Sequence, residues 1–254
     1  MKILTYNMRN WRDDPWSVWE SRRTPMVDQF KKFDPDIILL QEVCQAVDNP
    51  NPDNSMFCWL HQQLPDYIYF QYADNSQVYY NPNFDNRPEN EGLAILSKIP
   101  AQSSETIPLG TVADDGNPRI CFANYFEHFN SYNCHLSTSE DGRELNIKNF
   151  NAAVGVDKIG LINGDLNTTD KDPIFEDLPT WTDLWKVLGP NDGFTFGVPI
   201  SAQHPLKLDE RIDYFLAGAA ILKTAKNIGI AMDVQDGSGY YASDHLGVIA
   251  EFSV

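Results

Sequence analysis

Acidic, amide and imidazole side chains recur where short apolar segments of this sequence end. Glu42 closes the segment 36–42, and Asp165 and Asn167 close the segment 161–167. Because Asp165 and Asn167 are two residues apart, an extended segment would point both side chains the same way. Gly164 permits the close backbone approach that such a turn needs. The residues that this pattern selects are Asn7, Glu42, His135, Asp165, Asn167, Asp213, Asp244 and His245.

These residue types predict a site for a hard divalent cation. Mg²⁺ prefers oxygen ligands and keeps several waters, so one or two carboxylates suffice to hold it, and amide oxygens add ligands without charge. An imidazole beside an acid serves as a base or stabilises charge. Together these groups favour metal-assisted hydrolysis of a phosphate ester, with Mg²⁺ as the cofactor and Mn²⁺ as its substitute. Zinc is disfavoured because Asp, Glu and Asn suit Mg²⁺ or Mn²⁺ better.

The elements that must position these residues are mostly short strands. Ten apolar runs bounded by turn residues predict strands, and the pair 119–126 and 129–136 predicts a tight hairpin. Helical spacing links Trp19, Met26, Phe30 and Phe33, with Pro25 either starting that helix or kinking it. Many strands with few helices predict a four-layer α/β sandwich, two packed mixed β-sheets flanked by helices. No stretch has the composition of a domain linker, so we expect residues 1–254 to form one catalytic domain.

Charge and composition exclude several classes of protein. The chain has 254 residues, with 36 acidic and 19 basic side chains and a net charge of −17. It lacks the basic surface of a protein that binds nucleic acid through electrostatics alone, and anionic membranes would repel it. No apolar run approaches the ~20 residues that span a bilayer, so no membrane insertion is expected. Four cysteines without CxxC spacing and no recognisable export signal predict reduced thiols and a cytoplasmic location. We also expect the protein to be a monomer.

Seven short motifs follow one another from residue 5 to residue 245. They are Thr5-Tyr6-Asn7, Leu40-Gln41-Glu42-Val43, Glu91-Gly92-Leu93-Ala94-Ile95-Leu96-Ser97, Cys134-His135-Leu136, Gly164-Asp165-Leu166-Asn167, Arg211-Ile212-Asp213-Tyr214 and Ser243-Asp244-His245. Any one of them is common, but their order resembles that of the endonuclease/exonuclease/phosphatase superfamily, which includes pancreatic-type deoxyribonucleases and abasic-site endonucleases. The resemblance covers nearly the whole chain and implies a metal-dependent phosphoesterase.

The resemblance also implies roles for single residues on the metal side of the site. Asn7 and Glu42 match the metal-side residues of the superfamily, with Glu42 as the main Mg²⁺ ligand. Asp244 matches a second metal-side acid. Arg9 and Arg12 follow Asn7 closely, so we expect them to project from the same end and to bind a substrate phosphate.

The remaining matches concern the reacting groups. Asp165 resembles the residue that orients or deprotonates the attacking water, and Asn167 a phosphate or metal contact. His135 matches a histidine that stabilises phosphoryl oxygens or the leaving group. His245 matches the catalytic histidine, and Asp213 the acid that holds it. Whether Asp165 or His245 is the base is left open by the sequence.

Each of these residues also has an ordinary structural interpretation. Asp165 and Asn167 beside Gly164 could form a simple Asx-turn, and His245 could be a buried structural histidine. The sparse basic residues favour a small or single-stranded phosphate ester as substrate. Two alternatives stay open: a nuclease acting on DNA or RNA, and an inactive binding module with the same fold.

Overall fold

Two six-stranded sheets form the framework of the protein. The computed structural model describes residues 1–11, 19–81, 86–197, 207–235 and 241–253. Across the first sheet the order is β11 (Ala225–Ala231), β12 (Gly247–Phe252), β1 (Lys2–Asn7), β2 (Ile37–Ala46), β4 (Arg87–Ser97) and β3 (Tyr69–Asn81). Across the second sheet it is β5 (Ser103–Gly110), β6 (Arg119–Tyr125), β7 (Asn130–His135), β8 (Gly160–Asp165), β10 (Asp213–Ala217) and β9 (Thr182–Asp183).

Helices cover the outer faces of both sheets. They are α1 (Trp19–Phe33), α2 (Met56–Gln63) and α3 (Glu140–Val154). The short α4 (Leu184–Leu188) instead packs Leu184 and Trp185 into the layer between the sheets, and 3₁₀ turns lie at Pro173–Asp177 and Ile221–Thr224. Phe30 of α1 and Leu60 of α2 pack on the first sheet, and Phe150 of α3 packs on the second. Ile3 and Phe215 meet in the apolar layer between the sheets. The predicted four-layer α/β sandwich is therefore confirmed.

The predicted elements agree with the structure in the strongly patterned segments and differ in the weakly patterned ones. The hairpin closes where Phe126 N–H donates to the carbonyl of Phe129. Pro25 lies inside α1, so it does not start the helix, and the helix is the longer one of the other interpretation. Two separate predicted strands, 67–71 and 76–80, are one strand, β3, with an irregularity between Asp74 and Val78. The elements that the apolar pattern did not predict are β5, β9, β11, α2 and α4.

None of the helices described is long and apolar enough to cross a bilayer. All four cysteines carry free thiols, as expected, and three of them are buried.

Strand direction brings the chemistry to one edge of the sandwich. In each sheet a parallel pair sits among antiparallel neighbours: β1 runs parallel to β2, and β7 parallel to β8. His135 at the end of β7 is therefore in register with Asp165 at the end of β8. Asp213, which begins the antiparallel β10, pairs with Asp165 from the other side. Three predicted site residues thus become neighbours in the second sheet.

Polarity increases along the interior of the sandwich toward that edge. Because alternate residues of a strand share a face, the interior positions of β1 are Ile3, Thr5 and Asn7. The middle of these three positions, Thr5, is uncharged and belongs to a hydrogen-bonded layer that joins the sheets. Gln41 Nε2 donates to Thr5 Oγ1 at 3.1 Å within the first sheet and to Asn133 Oδ1 of the second sheet at 2.7 Å. Buried polar groups need such partners, so this layer joins the apolar core to the ionisable site above it.

Candidate active site

The carboxylate of Asp165 lies at the centre of the candidate site. Its Oδ2 accepts a hydrogen bond from Asn7 Nδ2 at 2.9 Å, which crosses from the first sheet to the second. The same oxygen is 3.5 Å from Nε2 of His135 and 3.7 Å from Nε2 of His245. Asp165 is almost fully buried. One acid is therefore surrounded by three nitrogen-bearing side chains that come from distant parts of the sequence.

Glu42 reaches the site through a break in its strand. The pairing of β2 with β4 shifts between Leu40 and Val43, and Glu42 has φ +55°. Regular alternation would place Glu42 on the same face as Leu40, which packs toward the helices. The bulge instead lets Oε1 of Glu42 accept from Asn7 Nδ2 at 2.9 Å. We expected the strand to end before Glu42, but it continues to Ala46.

Asn10 fixes the second oxygen of Glu42. Both the backbone N–H and the Nδ2 of Asn10 donate to Oε2 of Glu42 at 3.0 Å. Burial raises the pKa of Glu42, but the adjacent His135 and the hydrogen bonds from Asn10 and Asn7 outweigh it and lower the pKa to about 2. Glu42 is therefore an ionised carboxylate at neutral pH.

His245 and Asp213 form a buried pair. Nδ1 of His245 is 2.9 Å from Oδ2 of Asp213, and the two side chains are 5% and 0% exposed. Burial lowers the pKa of His245, but the carboxylates of Asp213 and Asp165 outweigh it and raise the pKa to about 10. The ring of Phe196 packs against one side of the imidazole, with 4.9 Å between the two ring centroids.

The second imidazole has the opposite electrostatic surroundings. Burial, together with the positive charge of Arg119, lowers the pKa of His135 despite the nearby Asp165 and Glu42. His135 borders a small recess that it shares with Asn75, Glu91 and Arg119. Burial also raises the pKa of Asp165, while the two imidazoles act in the other direction. The site thus contains one imidazole that favours its charged form and one that favours its neutral form.

A family model decides which family the chain belongs to. The model described as "Endonuclease/Exonuclease/phosphatase family" matches residues 4–245. The chain belongs to this family. Members of the family are phosphoesterases, and the described groups that could hold a metal include Asp165, Asp213 and His245, whose ligand atoms all lie within 4.8 Å of one another.

Solved structures share the fold over the full chain. A mannosyl-6-phosphatase from Bacteroides thetaiotaomicron superposes with a TM-score of 0.74 at 16% identity, covering 100% of both chains. A protein of unknown function from Enterococcus faecalis gives 0.72 at 22% identity, covering 100% of this chain and 99% of that one. TDP2 of D. rerio, solved with a single-strand DNA product, gives 0.66 at 16% identity, with 100% and 99% coverage. No curated protein matches the sequence.

Two residues predicted on the metal side of this family's site make other contacts here. The amide oxygen of Asn7 accepts from the backbone N–H of Arg9 at 2.9 Å, so its nitrogen faces Glu42 and Asp165. Asp244 is half-buried, and its Oδ2 pairs with Nη1 of Arg9 at 2.7 Å. Arg9 therefore does project toward the site, but it is paired with an acid. Arg12 lies outside the described residues.

Asn167 reaches its position by a turn and not by continued extension. β8 ends at Asp165, and Asn167 has φ +50°. Its N–H donates to Oδ1 of Asp165 at 2.8 Å, and its Nδ2 donates to the carbonyl of Leu136 at 2.8 Å. The Asx-turn is therefore present, and it orients the central carboxylate.

Three residues that support the site were not among the predicted site residues. Asn10 donates to the side chain of Glu42, and Arg22 donates to backbone carbonyls. Ser243 Oγ donates to the carbonyl of Asn7 at 2.8 Å and accepts from His245 N–H at 3.2 Å. Of these three residues, only Ser243 could have been suggested by the sequence, because it lies within the Ser-Asp-His motif.

Proposed function

We propose that the protein is a Mg²⁺-dependent phosphoesterase that hydrolyses a phosphodiester or phosphomonoester by in-line attack of water. The observation that carries the proposal is the position of Asp165, whose Oδ2 lies within 3.7 Å of both imidazoles and 2.9 Å from the amide that also holds Glu42. A carboxylate beside an imidazole that is itself held by a second carboxylate is an arrangement suited to moving a proton.

The residues present fit a magnesium ion. The donor set consists mainly of carboxylates, and Oδ1 of Asp213 is buried without a hydrogen-bond partner among the described residues. Several buried acids in one cleft are costly unless a cation or hydrogen bonds compensate them. Glu42 would hold the ion, with Asp244 as a second acid and Asn7 keeping Glu42 in place. When bound, Mg²⁺ supplies charge stabilisation for the phosphoryl oxygens and a positioned water.

The remaining groups carry the reaction. Asp165 orients the attacking water and takes its proton, while His245, whose charged form is favoured, is held by Asp213 through Nδ1 and directs Nε2 toward Asp165. His135 lies on the other side of Asp165, where its Nε2 is placed to donate to a phosphoryl oxygen or to the leaving group. Asn167 contacts the phosphate, and Arg9 binds it after leaving Asp244.

The substrate we propose is small or single-stranded. The net charge of −17 and the lack of a basic run disfavour a groove for duplex DNA. The mannosyl-6-phosphatase and TDP2 with its single-strand DNA product show that proteins with this fold accept substrates of both kinds. The monomeric state, the single domain and the cytoplasmic location stay predictions from the sequence.

A panel of phosphate esters tests this function. Wild type, Glu42→Ala and His245→Ala are assayed with Mg²⁺ on sugar phosphates, nucleotides, a chromogenic phosphodiester and single-stranded and duplex DNA and RNA. Glu144→Ala, an exposed carboxylate on α3, is the matched control. We expect hydrolysis by wild type and the control and its loss in both site variants.

The outcomes separate the alternatives. Cleavage confined to nucleic acids would replace the small-substrate proposal by the nuclease. Equal rates in wild type and both site variants would contradict the mechanism. No hydrolysis of any ester would favour the inactive binding module.

A further inference from the structure

The guanidinium of Arg22 joins two backbone segments beneath the candidate site. Arg22 belongs to α1 and is only 3% exposed. Its Nη1 donates to the carbonyls of Met8 at 2.8 Å and Ala242 at 2.7 Å. Its Nη2 donates to the carbonyls of Arg9 at 3.1 Å and Asn10 at 3.3 Å. One side chain thus binds four carbonyl oxygens from the segments 8–10 and 242–245.

The segment 8–10 carries the clamp on Glu42. Asn10 donates to Oε2 of Glu42 through both its backbone N–H and its Nδ2. The backbone N–H of Arg9 sets the orientation of the Asn7 amide, which holds the other oxygen of Glu42. A displacement of this segment would therefore release Glu42 from its fixed position.

The segment 242–245 carries the reacting imidazole. Ala242, whose carbonyl binds Arg22, is followed by Ser243, and Ser243 Oγ accepts from His245 N–H at 3.2 Å. The same hydroxyl donates to the carbonyl of Asn7 at 2.8 Å. The segment 242–245 therefore also contacts Asn7, which directly precedes the segment 8–10 and holds Glu42.

We infer that Arg22 is a positioning residue that sets Glu42 and His245 at their working separation by holding these two segments together. The inference rests on the proposed function, in which Glu42 holds the ion and His245 is one of the reacting groups. Through its hydrogen bonds to the two segments, Arg22 acts on Glu42 by way of Asn10 and on His245 by way of Ser243.

The planar shape of the guanidinium is what the four carbonyls require. Arginine presents five N–H donors in a rigid fork, whereas lysine presents three donors at one point. Burial lowers the pKa of Arg22 to about 10, while Tyr6, Asp244 and Glu42 favour its charged form, so the group is a cation at neutral pH. Its charge also faces the acidic side of the site.

Three variants test the inference. Arg22→Lys keeps the charge but cannot reach all four carbonyls, and Arg22→Met removes both charge and donors. Gln29→Met is the matched control, because Gln29 is also on α1, is 5% exposed, and exchanges hydrogen bonds of 3.2 Å with the backbone of Val234, away from the site. The measurements are Mn²⁺ affinity by calorimetry, kcat and KM on the best ester of the panel, and the melting temperature.

We expect Arg22→Lys to bind Mn²⁺ about 10- to 100-fold more weakly and to lose kcat by a similar factor, the range seen when groups that support metal ligands are changed. KM should change less than kcat. Gln29→Met should lose melting temperature while keeping metal affinity and kcat. Full affinity and kcat in Arg22→Lys would overturn the inference, and so would equal losses in Gln29→Met.

One further variant covers a failure to fold. If neither Arg22 variant yields folded protein, Asn10→Ala removes the side-chain hydrogen bond from the anchored segment to Glu42 without removing Arg22. Unchanged Mn²⁺ affinity in Asn10→Ala would then overturn the inference. The proposed function fails separately, when wild type hydrolyses no ester, and the Mn²⁺ affinities test the role of Arg22 even in that case.

Discussion

His245 is held by Asp213 through a 2.9 Å contact between Nδ1 and Oδ2, with both side chains buried. The backbone N–H of Asp213 points to the hydroxyl of Thr195 at 3.3 Å, and His245 N–H points to Ser243. Because the carboxylate fixes the ring, the other nitrogen, Nε2, is directed toward Asp165 at 3.7 Å. The pair therefore determines which imidazole nitrogen faces Asp165.

Replacing Asp213 by Asn should remove most of the activity. The amide cannot stabilise a protonated imidazole as a carboxylate does, so we expect kcat to fall by about 10² to 10⁴, the contribution of a positioned acid–base group. Steady-state kinetics on the best ester measures the loss. Asp157→Asn is the control, because Asp157 also accepts hydrogen bonds from Asn130 and the buried Tyr132, but lies at the opposite ends of β7 and β8. Comparable losses of kcat in both variants would refute a specific role for Asp213.

Divalent metal should stabilise the protein through Glu42. At a Mn²⁺ concentration of 100 times Kd, binding to the folded state adds about 2.7 kcal/mol, which calorimetry detects as a rise in melting temperature. We expect Glu42→Gln to lose most of this rise and Asp165→Asn to keep part of it. Chelation with EDTA should abolish hydrolysis, and Mg²⁺ or Mn²⁺ should restore it. If instead Asp165→Asn loses the rise and Glu42→Gln retains it, the ion sits among Asp165, Asp213 and His245.

Acid should lower the free energy of unfolding in part through Asp172, which lies in the turn after Asn167. Burial raises the pKa of Asp172, but hydrogen bonds from Thr168 and Ile174 and the charge of Arg143 outweigh it and hold the pKa below its usual value. A lowered pKa means that the ionised form stabilises the folded state. This contribution is present above about pH 4 and is lost as the pH falls through the folded pKa.

The comparison of Asp172→Asn with wild type measures that contribution. We expect the variant to be about 1 kcal/mol less stable at neutral pH and the difference to shrink as the pH approaches 3. Urea unfolding of both proteins at a series of pH values measures the difference in the free energy of unfolding and its change with pH. A difference that grows on acidification would show that the sign is wrong.

Gly164 should be intolerant of any side chain. It has φ +122°, and an added Cβ would collide with the carbonyl oxygen of Cys134 on the neighbouring strand. We expect Gly164→Ala to cost about 3 kcal/mol from strain and overpacking together. In Gly229→Ala, by contrast, the new Cβ meets nothing within 4 Å. Denaturant unfolding of both variants checks the prediction, and equal stabilities would contradict it.

The sequence by itself determined the residue types of the site and the strands that carry them. Asn7, His135 and Asp165 each come two residues after a side chain that faces the interior of the sandwich. Because alternate residues of a strand share a face, the local pattern predicts that these three side chains also face the interior. The order of the motifs identified the family, and the alternation of short apolar runs predicted the sandwich. These are local properties, and local properties are what a sequence displays directly.

Only the tertiary structure decided how the site is held together. Glu42 enters through a bulge with φ +55°, Asn10 clamps it, and Arg22 anchors the segments on either side. Strand pairing between distant segments put Asp213 beside Asp165, and the same packing turned Asp244 toward Arg9. Each of these contacts joins atoms whose separation along the chain bears no relation to their distance in space, because hydrogen bonds and ion pairs form only after the sheets have packed.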